Sequence, residues 1–249
     1  MLTCKQPIMA MELLRKIGTM HYVIPELEET YSMTQNEYHF DTVWEHTMAV
    51  LEGTKDDNMI LRISALLHDI GKISVRTEED GKVHFLKHEL KSGEMIDELL
   101  RPLKFSNEII KEVTFLVRNH MICKTWGSEC EYMKDKKLRR LQYECKTEER
   151  FRNLMTIIDA DNNAYAADKC MPKQVEFILS RTEAMKAEGS AMFGYKLPLT
   201  GKEIMDLKGI KPGLAVKECL DYLMKIAFAN PLRKKEEFVK HLLGYRLQK

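Results

Sequence analysis

The fold of this chain is decided by the stretch Ile60-Leu61-Arg62-Ile63-Ser64-Ala65-Leu66-Leu67-His68-Asp69-Ile70-Gly71-Lys72. Its first eight residues are mostly apolar and predict a buried helix, at the end of which His68 and Asp69 stand side by side. Polar and charged groups are costly to bury unless they are paired or bound to a metal ion. We therefore predict that this helix presents two adjacent metal ligands in the interior of the protein.

Apolar residues recur at helical spacing along nearly the whole chain, and the sequence has no alternating strand pattern, internal repeat or low-complexity tract. Short polar residues mark where several helices begin. Asp41 or Thr42 is expected to cap one helix, Asp57 or Asn58 the next, and Ser106 a later one. These patterns predict an all-α fold, a helical bundle.

The length of the chain limits how many domains this bundle can form. At 249 residues the chain is long enough for one large domain or for one domain with an appendage. We expect residues 1–40 to form an N-terminal helical segment that packs on a main domain of residues 41–185. A connection at residues 190–199 contains Gly and Pro and leads to two further helices, so residues 186–249 are expected to form a small C-terminal helical extension.

The composition is that of an ordinary soluble protein, with 44% hydrophobic and 31% charged residues. No apolar run is long enough to span a bilayer and the N-terminus lacks the pattern of a signal peptide, so we expect no membrane association. The six cysteines contain no CxxC pair and are most simply reduced thiols. Together these features predict a cytoplasmic location.

The net charge of +1 hides a basic C-terminal part. Residues 171–249 carry 15 Lys and Arg against 9 Asp and Glu, and residues 134–140 form a second basic cluster. Such residues often form nothing more than a solvated helix face. They also suit a surface for the phosphate backbone of RNA, because basic patches supply the salt-sensitive part of nucleic-acid affinity.

Further candidate metal ligands lie in or beside other helix-like segments, namely His46, His88, His120 and Asp161. A helical bundle can bring residues so far apart in sequence to one centre. Imidazole and carboxylate together suit divalent Mn, Ni, Co, Fe or Zn, with Mg also open, and the absence of cysteine from the set argues against a structural zinc site. For His88 and His120 the alternative is that they lie at the surface, or that they contact the metal ligands without binding a metal themselves.

The order of these residues resembles that of the HD superfamily of metal-dependent phosphohydrolases, which is named after its His-Asp pair. In this chain the matching residues are His46, His68-Asp69 and Asp161. His88 and His120 resemble the extra histidines of those members that bind two metals. Several segments further resemble the HD-containing C-terminal half of bacterial CCA-adding tRNA nucleotidyltransferases; they are residues 38–47, 65–72, 116–121, 199–205 and 209–213.

The resemblance implies an HD-domain helical bundle and favours Asp161 over Asp159, because Ala160-Asp161 is similar to an Ala-Asp pattern of the family. In those tRNA enzymes a nucleotidyltransferase head should precede this region, and only about forty residues precede His46 here. The expectation is therefore the phosphohydrolase half without the polymerase half. In the family this half is associated with 2′,3′-cyclic phosphodiesterase, 2′-nucleotidase and phosphatase activity.

The resemblance also implies roles for individual residues. One divalent metal would be held by four of the ligands, His46, His68, Asp69 and Asp161. Asp69 would bridge to a second metal at His88 and His120, if two ions bind, and a metal-activated hydroxide would attack phosphorus. Lys72, at i+3 from Asp69, is expected to contact the substrate phosphate, the alternative being an exposed lysine at a helix end. Arg118 is a second candidate phosphate clamp.

We expect the substrate to be a nucleotide or the phosphate of an RNA end, with a 2′,3′-cyclic phosphate as first choice. One alternative is a module that binds tRNA or other RNA, or a partner subunit of a split CCA-adding enzyme. Another is a di-iron oxygenase of the HD type, which a mixed-valent di-iron signal with oxygen consumption would identify. A homo-oligomer is also open.

Overall fold

The computed structural model describes residues 2–35, 42–54, 58–165 and 170–247. Most of these residues are helical, so the predicted all-α class is confirmed. The α-helices in this part of the chain are α1 Pro7–Lys16, α2 Met20–Val23, α3 Pro25–Glu29, α4 Val43–Gly53, α5 Met59–Leu67, α6 Lys72–Val75, α7 His88–Leu100, α8 Asn107–Asn119, α9 Asp135–Cys145, α10 Glu148–Asn163, α11 Gln174–Ala187, α12 Gly201–Lys208, α13 Leu214–Ala229 and α14 Lys235–Gly244. Two short 3-10 helices add Thr30–Ser32 and Lys124–Trp126.

Three helices begin at short polar residues that the sequence predicts as caps. The side chain of Thr42 accepts a hydrogen bond from the amide of Glu45 at the start of α4. Asn58 caps α5 and Ser106 caps α8 in the same way, each satisfying amides that have no partner within the helix. The alternatives Asp41 and Asp57 lie outside the described residues.

A small hairpin interrupts the helices. Strands β1 Thr77–Glu79 and β2 Lys82–His84 pair antiparallel, with Thr77 opposite His84. Asp80 and Gly81 form the turn and both have positive φ, at 51° and 72°, as a two-residue turn of this hand requires. The described residues contain no other strand pair of this length.

The C-terminal part differs from the sequence prediction in its number of helices. Three helices rather than two, α12, α13 and α14, follow the connection, so that prediction was wrong. The additional helix boundary lies at Asn230-Pro231, because proline cannot continue the helical hydrogen bonds and disfavours the helical conformation in the residue before it. The basic cluster at 134–140 begins one residue before helix α9 and continues into it. This helix buries Leu138, Leu141 and Cys145 and turns most of the cations of the cluster outward.

The chain divides into two compact units. The first comprises Met1–Glu131 and Arg152–Glu176. Within it α7 packs on α8, α8 on α5, α5 on α4 and α4 on α1. Helix α5 lies at the centre of this series, because every residue from Leu61 to Leu67 is buried. An apolar helix buried on all sides is what the opening stretch predicts, and burying each of its large side chains contributes about 1.5–3 kcal/mol.

The second unit comprises Tyr132–Phe151 and Phe177–Lys249. Its core contains Met192, Leu199, Ile204, Cys219, Leu223, Ala227, Phe228, Phe238 and Leu242. Arg139 of α9 donates hydrogen bonds to the carbonyls of Phe228 and Ala229, at 3.3 and 3.1 Å. These carbonyls end α13 and have no partner within the helix, so the guanidinium caps it. The boundaries predicted at residues 40/41 and 185/186 stay predictions.

In the described part of the chain, none of the helices has both the length and the apolar character needed to cross a membrane. The six cysteines all lie in the described residues, and none of them forms a disulfide. The cytoplasmic location and a homo-oligomeric state stay predictions from the sequence.

Candidate metal centre

The six predicted metal ligands meet in the interior of the first unit. Each is at most 7% exposed. They come from five places in the fold: His46 from α4, His68 and Asp69 from the end of α5, His88 from the start of α7, His120 from the end of α8 and Asp161 from α10. Burial of so many polar side chains together requires strong mutual partners or a bound cation.

One group of ligand atoms forms around Asp161. Its Oδ1 lies 3.1 Å from Nε2 of His46 and 4.0 Å from Nε2 of His68. The two Nε2 atoms are 3.4 Å apart. Asp69 adds Oδ2, 3.2 Å from Nε2 of His68 and 3.6 Å from Nε2 of His46. Two imidazoles and two carboxylates therefore surround one point.

A second group forms around the other oxygen of Asp69. Its Oδ1 lies 3.0 Å from Nε2 of His88 and 3.7 Å from Nε2 of His120. The Nε2 atoms of these two histidines are 3.3 Å apart. The carboxylate of Asp69 therefore stands between two histidine pairs and turns one oxygen to each.

The backbone determines which nitrogen of each imidazole faces the centre. Nδ1 of His68, His88 and His120 lies 2.7, 2.9 and 2.7 Å from the carbonyl oxygen three residues earlier. Nδ1 of His46 lies 3.3 Å from the carbonyl of Ala164. Because a carbonyl only accepts hydrogen bonds, each Nδ1 carries the proton, and Nε2 of a neutral ring presents a lone pair to the centre.

Two of these bonds explain why histidine ends a helix here. His68 follows the last residue of α5 and donates to Ala65, and His120 follows the last residue of α8 and donates to Val117. The last four carbonyls of an α-helix have no partner within the helix. Each imidazole thus satisfies a helix-end carbonyl with one nitrogen while the other nitrogen faces the ligand group.

The donor set fits a divalent metal ion. Within each histidine pair two Nε2 lone pairs face each other at 3.3–3.4 Å with a carboxylate oxygen beside them. Lone pairs so placed repel one another unless a cation or a proton lies between them. Two trios, His46-His68-Asp161 and His68-Asp69-His120, have ligand atoms close enough to share one ion. Imidazole with carboxylate suits Mn, Fe, Co, Ni or Zn.

A lysine ammonium contacts each of the two carboxylates, Asp69 and Asp161. Nζ of Lys72 lies 2.7 Å from Oδ2 of Asp69, and Nζ of Lys124 lies 2.8 Å from Oδ2 of Asp161. Burial alone would raise the pKa of both carboxyls. At Asp69 the charges of a protonated His68 and of Lys72 outweigh the effect of burial, and at Asp161 Lys124 with His46 outweighs it, so without a metal both pKa values lie well below the usual range. Burial lowers the pKa of His120 to about 3, so this imidazole is neutral at neutral pH.

The two residues predicted to contact phosphate have different positions. Lys72 is buried at the start of α6, and its ammonium also donates to Oε1 of Gln35 at 2.6 Å. Arg118 is exposed on α8, and its stem lies over Gly93 of α7. It stands two residues before His120, and residues so spaced on a helix point about 200° apart. The structure therefore does not bring Arg118 to the six ligands, and its role stays a prediction from sequence alone.

Two residues near the ligands were not predicted. Lys124 contacts Asp161, and its Nζ lies 4.3 Å above the ring centroid of Tyr165. The Tyr165 ring packs edge-on against His46, with centroids 5.5 Å apart. Burial raises the pKa of Tyr165, so its hydroxyl keeps its proton. The spacing of the sequence does not indicate either residue, since Lys124 lies beyond the end of α8 and Tyr165 beyond the end of α10.

Comparison with known proteins gives a consistent result. The HD domain family matches residues 37–162. The A-adding tRNA nucleotidyltransferase of Deinococcus radiodurans is 27% identical over 214 residues, which cover 83% of this chain and 47% of that protein. The CC-adding tRNA nucleotidyltransferase of Thermus thermophilus is 25% identical over 246 residues, covering 95% and 52%. A multifunctional CCA protein of Paraburkholderia phymatum is 31% identical over 120 residues, covering 47% and 28%. This chain thus spans about half the length of the first two proteins.

Proposed function

This chain belongs to the HD domain family, and from that premise we propose that it is a metal-dependent phosphohydrolase acting on a nucleotide or on the phosphate of an RNA end. The predicted resemblance to the HD-containing part of CCA-adding tRNA nucleotidyltransferases is confirmed. The observation that carries the proposal is Asp69, whose two oxygens face two separate histidine pairs.

Two ion positions would follow from this geometry. His46, His68, Asp69 and Asp161 would hold one divalent ion, and Asp69, His88 and His120 the second. When bound, such ions lower the pKa of a water molecule towards neutrality and offset charge on the oxygens of a phosphate ester.

The side chains prepare the centre in three ways. The backbone carbonyls hold each Nδ1 proton, so that all four imidazoles offer Nε2 without a change of tautomer. Asp69 and Asp161 are carboxylates at neutral pH because their pKa values are well below the usual range. The ammonium of Lys72 stands beside Asp69, where it would attract a phosphate and offset the negative charge that develops on its oxygens.

The substrate class is supported by the relatives. Two of them are named tRNA nucleotidyltransferases, so an RNA end is a reasonable place for the ester to come from. We favour a 2′,3′-cyclic phosphate and place nucleoside 2′- or 5′-monophosphates second. Either substrate is an anion that suits a centre with two divalent ions and Lys72.

Turnover of phosphate esters tests the proposal. Protein stripped of metal is reloaded with Mn, Ni, Co, Mg or Zn and given bis-p-nitrophenyl phosphate and 2′,3′-cyclic AMP. We expect hydrolysis that depends on the metal and is lost in Asp69→Asn, while Asp206→Asn, at an exposed position on α12, retains it. Protein that binds metal but turns over neither substrate with any of these ions would contradict the proposal and favour the oxygenase or RNA-binding alternative.

A second function, tRNA binding within a CCA-adding system, has one observation in its favour. The alignments with tRNA nucleotidyltransferases cover 83% and 95% of this chain, more than the HD match, which ends at residue 162. Residues 171–249 are also the more basic part. Salt-dependent tRNA binding that is unchanged in Asp69→Asn, without any turnover by the unsubstituted protein, would favour this function.

A further inference from the structure

We propose that Lys124 is a positioning residue of the metal centre, which holds the carboxylate of Asp161 so that only Oδ1 is available to a metal at His46 and His68. The inference rests on the metal centre of the proposed function. It adds to that centre a residue whose role is to fix a ligand.

The two oxygens of Asp161 have separate partners. Oδ1 lies 3.1 Å from Nε2 of His46, whereas Oδ2 lies 2.8 Å from Nζ of Lys124. A free carboxylate can bind a metal through either oxygen or through both. With the ammonium on Oδ2, a metal among the imidazoles meets one oxygen in one orientation.

The lysine of the other carboxylate has a different relation to the ligand atoms. Lys72 contacts Oδ2 of Asp69, the same oxygen that faces His68 at 3.2 Å. Its ammonium therefore shares an oxygen with the metal position. Lys124 contacts the oxygen of Asp161 that the histidines do not use, so it can remain in place when a metal binds.

A buried network holds the Lys124 ammonium in this position. Nζ donates to Oδ1 of Asn162 at 2.9 Å, and Nδ2 of Asn162 donates to Oε1 of Gln174 at 3.0 Å. Nε2 of Gln174 donates to the carbonyls of Cys123 and Gly127, at 3.0 and 2.7 Å. Both amide side chains are fully buried. The bonds thus return to residues on either side of the 3-10 helix that carries Lys124.

The remaining surroundings of the ammonium are also suited to a cation. Its Nζ lies 4.3 Å from the ring centroid of Tyr165, within the range of a favourable cation–π contact. The Lys124 side chain is 15% exposed, so little freedom remains to it. A lysine with a carboxylate, an amide and an aromatic ring as neighbours is fixed before a metal arrives, which reduces the ordering that metal binding requires.

The test is metal affinity in Lys124→Met, which keeps the length of the side chain and removes its charge. The matched control is Lys173→Met, at a lysine that is 64% exposed. Calorimetric titration with Mn²⁺ or Co²⁺ is expected to show about 10- to 100-fold weaker binding in Lys124→Met and no change in Lys173→Met. The visible spectrum of the Co²⁺ protein is expected to change only in Lys124→Met, because the released carboxylate can bind through both oxygens.

Equal affinity with an unchanged Co²⁺ spectrum in Lys124→Met would overturn the proposal. Tighter binding would overturn it as well, since the ammonium would then mainly oppose the charge of the ion. If the unsubstituted protein binds no metal, the proposed metal centre itself is wrong. Normal metal binding by that protein together with an unaffected Lys124→Met would contradict the Lys124 inference alone.

A second variant keeps the test decisive if Lys124→Met does not fold. Asn162→Ala leaves the charges of Lys124 and Asp161 in place. It removes the acceptor that fixes the ammonium and, with it, the donor to Oε1 of Gln174. We expect a smaller loss of affinity in the same direction, with the helical circular dichroism of the unsubstituted protein. Unchanged affinity in folded Asn162→Ala would count against the proposal.

Discussion

The amide of Gly71 donates a hydrogen bond to Oγ of Ser92 across 2.8 Å. This bond joins the segment that follows Asp69 to helix α7, which begins at His88. A Cβ atom on Gly71 would lie 2.4 Å from the Ser92 amide nitrogen and 2.6 Å from the His88 carbonyl oxygen. The two segments of the second ligand group can therefore meet only because residue 71 has no side chain.

Gly71→Ala is expected to separate these segments. Overpacking of a close contact costs about 1–3 kcal/mol, and here the displaced backbone includes that of His88. We expect a lower melting temperature and weaker binding of metal at the His88-His120 pair, measured by thermal unfolding and by titration. Gly244→Ala is the control, because a Cβ there meets nothing within 4 Å. A Gly71→Ala protein with normal stability and normal metal stoichiometry would contradict the importance of this contact.

Gly53 has the corresponding role between α4 and α10. A Cβ on Gly53 would lie 3.0 Å from Cβ of Ala160, the residue before Asp161. Gly53→Ala should therefore lose the gain of about 1 kcal/mol that alanine otherwise brings over glycine within a helix. The double variant Gly53→Ala with Ala160→Gly should recover part of that loss, because it removes the methyl group of residue 160 that the new methyl group of residue 53 would contact. Strictly additive effects in this double-mutant cycle would show that the two positions do not interact.

Metal removal is expected to lower the melting temperature of the protein. An ion that binds only the folded state stabilises it by about 2.7 kcal/mol when its free concentration is 100 times its Kd. Thermal unfolding with a chelator and with added Mn²⁺ measures this difference. Asp69→Asn should abolish the gain and Asp206→Asn should retain it. Equal gains in both variants would mean that the ion binds elsewhere.

The ion pair between Glu203 and Lys235 predicts a pH dependence in the second unit. Hydrogen bonding from Lys235 and Thr200 lowers the pKa of Glu203 from about 4.5 to about 2. The carboxylate is therefore favoured in the folded state. The contribution of the Glu203 carboxylate to folding stability is complete above pH 4.5 and disappears as the pH falls towards 2.

Glu203→Gln tests this contribution, because glutamine can still serve the cap of α12 while the charge is lost. We expect a small decrease in melting temperature at pH 7 that vanishes near pH 2. Glu236→Gln, at an exposed position of α14, is the control. A deficit in Glu203→Gln that persists unchanged at pH 2 would exclude the ion pair as its cause.

The sequence predicts features that depend on local chemistry. The caps at Thr42, Asn58 and Ser106 and the buried helix before His68 follow from residue type and spacing within a few positions. The histidines and aspartates could be assembled in advance because their order resembles that of the HD superfamily, which favours Asp161 over Asp159 and implies roles for His88 and His120. These predictions needed no knowledge of how the helices pack.

Other features depend on tertiary packing. Lys124 is an ordinary lysine in sequence, and its meeting with Asn162 and Gln174 arises only when three distant segments fold together. Arg118 stands close to a ligand in sequence but on another side of its helix. The sequence likewise does not indicate that Gly71 packs against Ser92.

The hydrogen bonds from His68 to Ala65 and from His120 to Val117 affect how substitutions at the centre should be interpreted. Alanine at either position removes a metal ligand and also leaves the last turn of its helix free to fray. Lost activity in such a variant would combine two defects that an assay of turnover cannot separate. The aspartates do not end helices in this way, so Asp→Asn changes report on the chemistry of the centre with the helix ends intact.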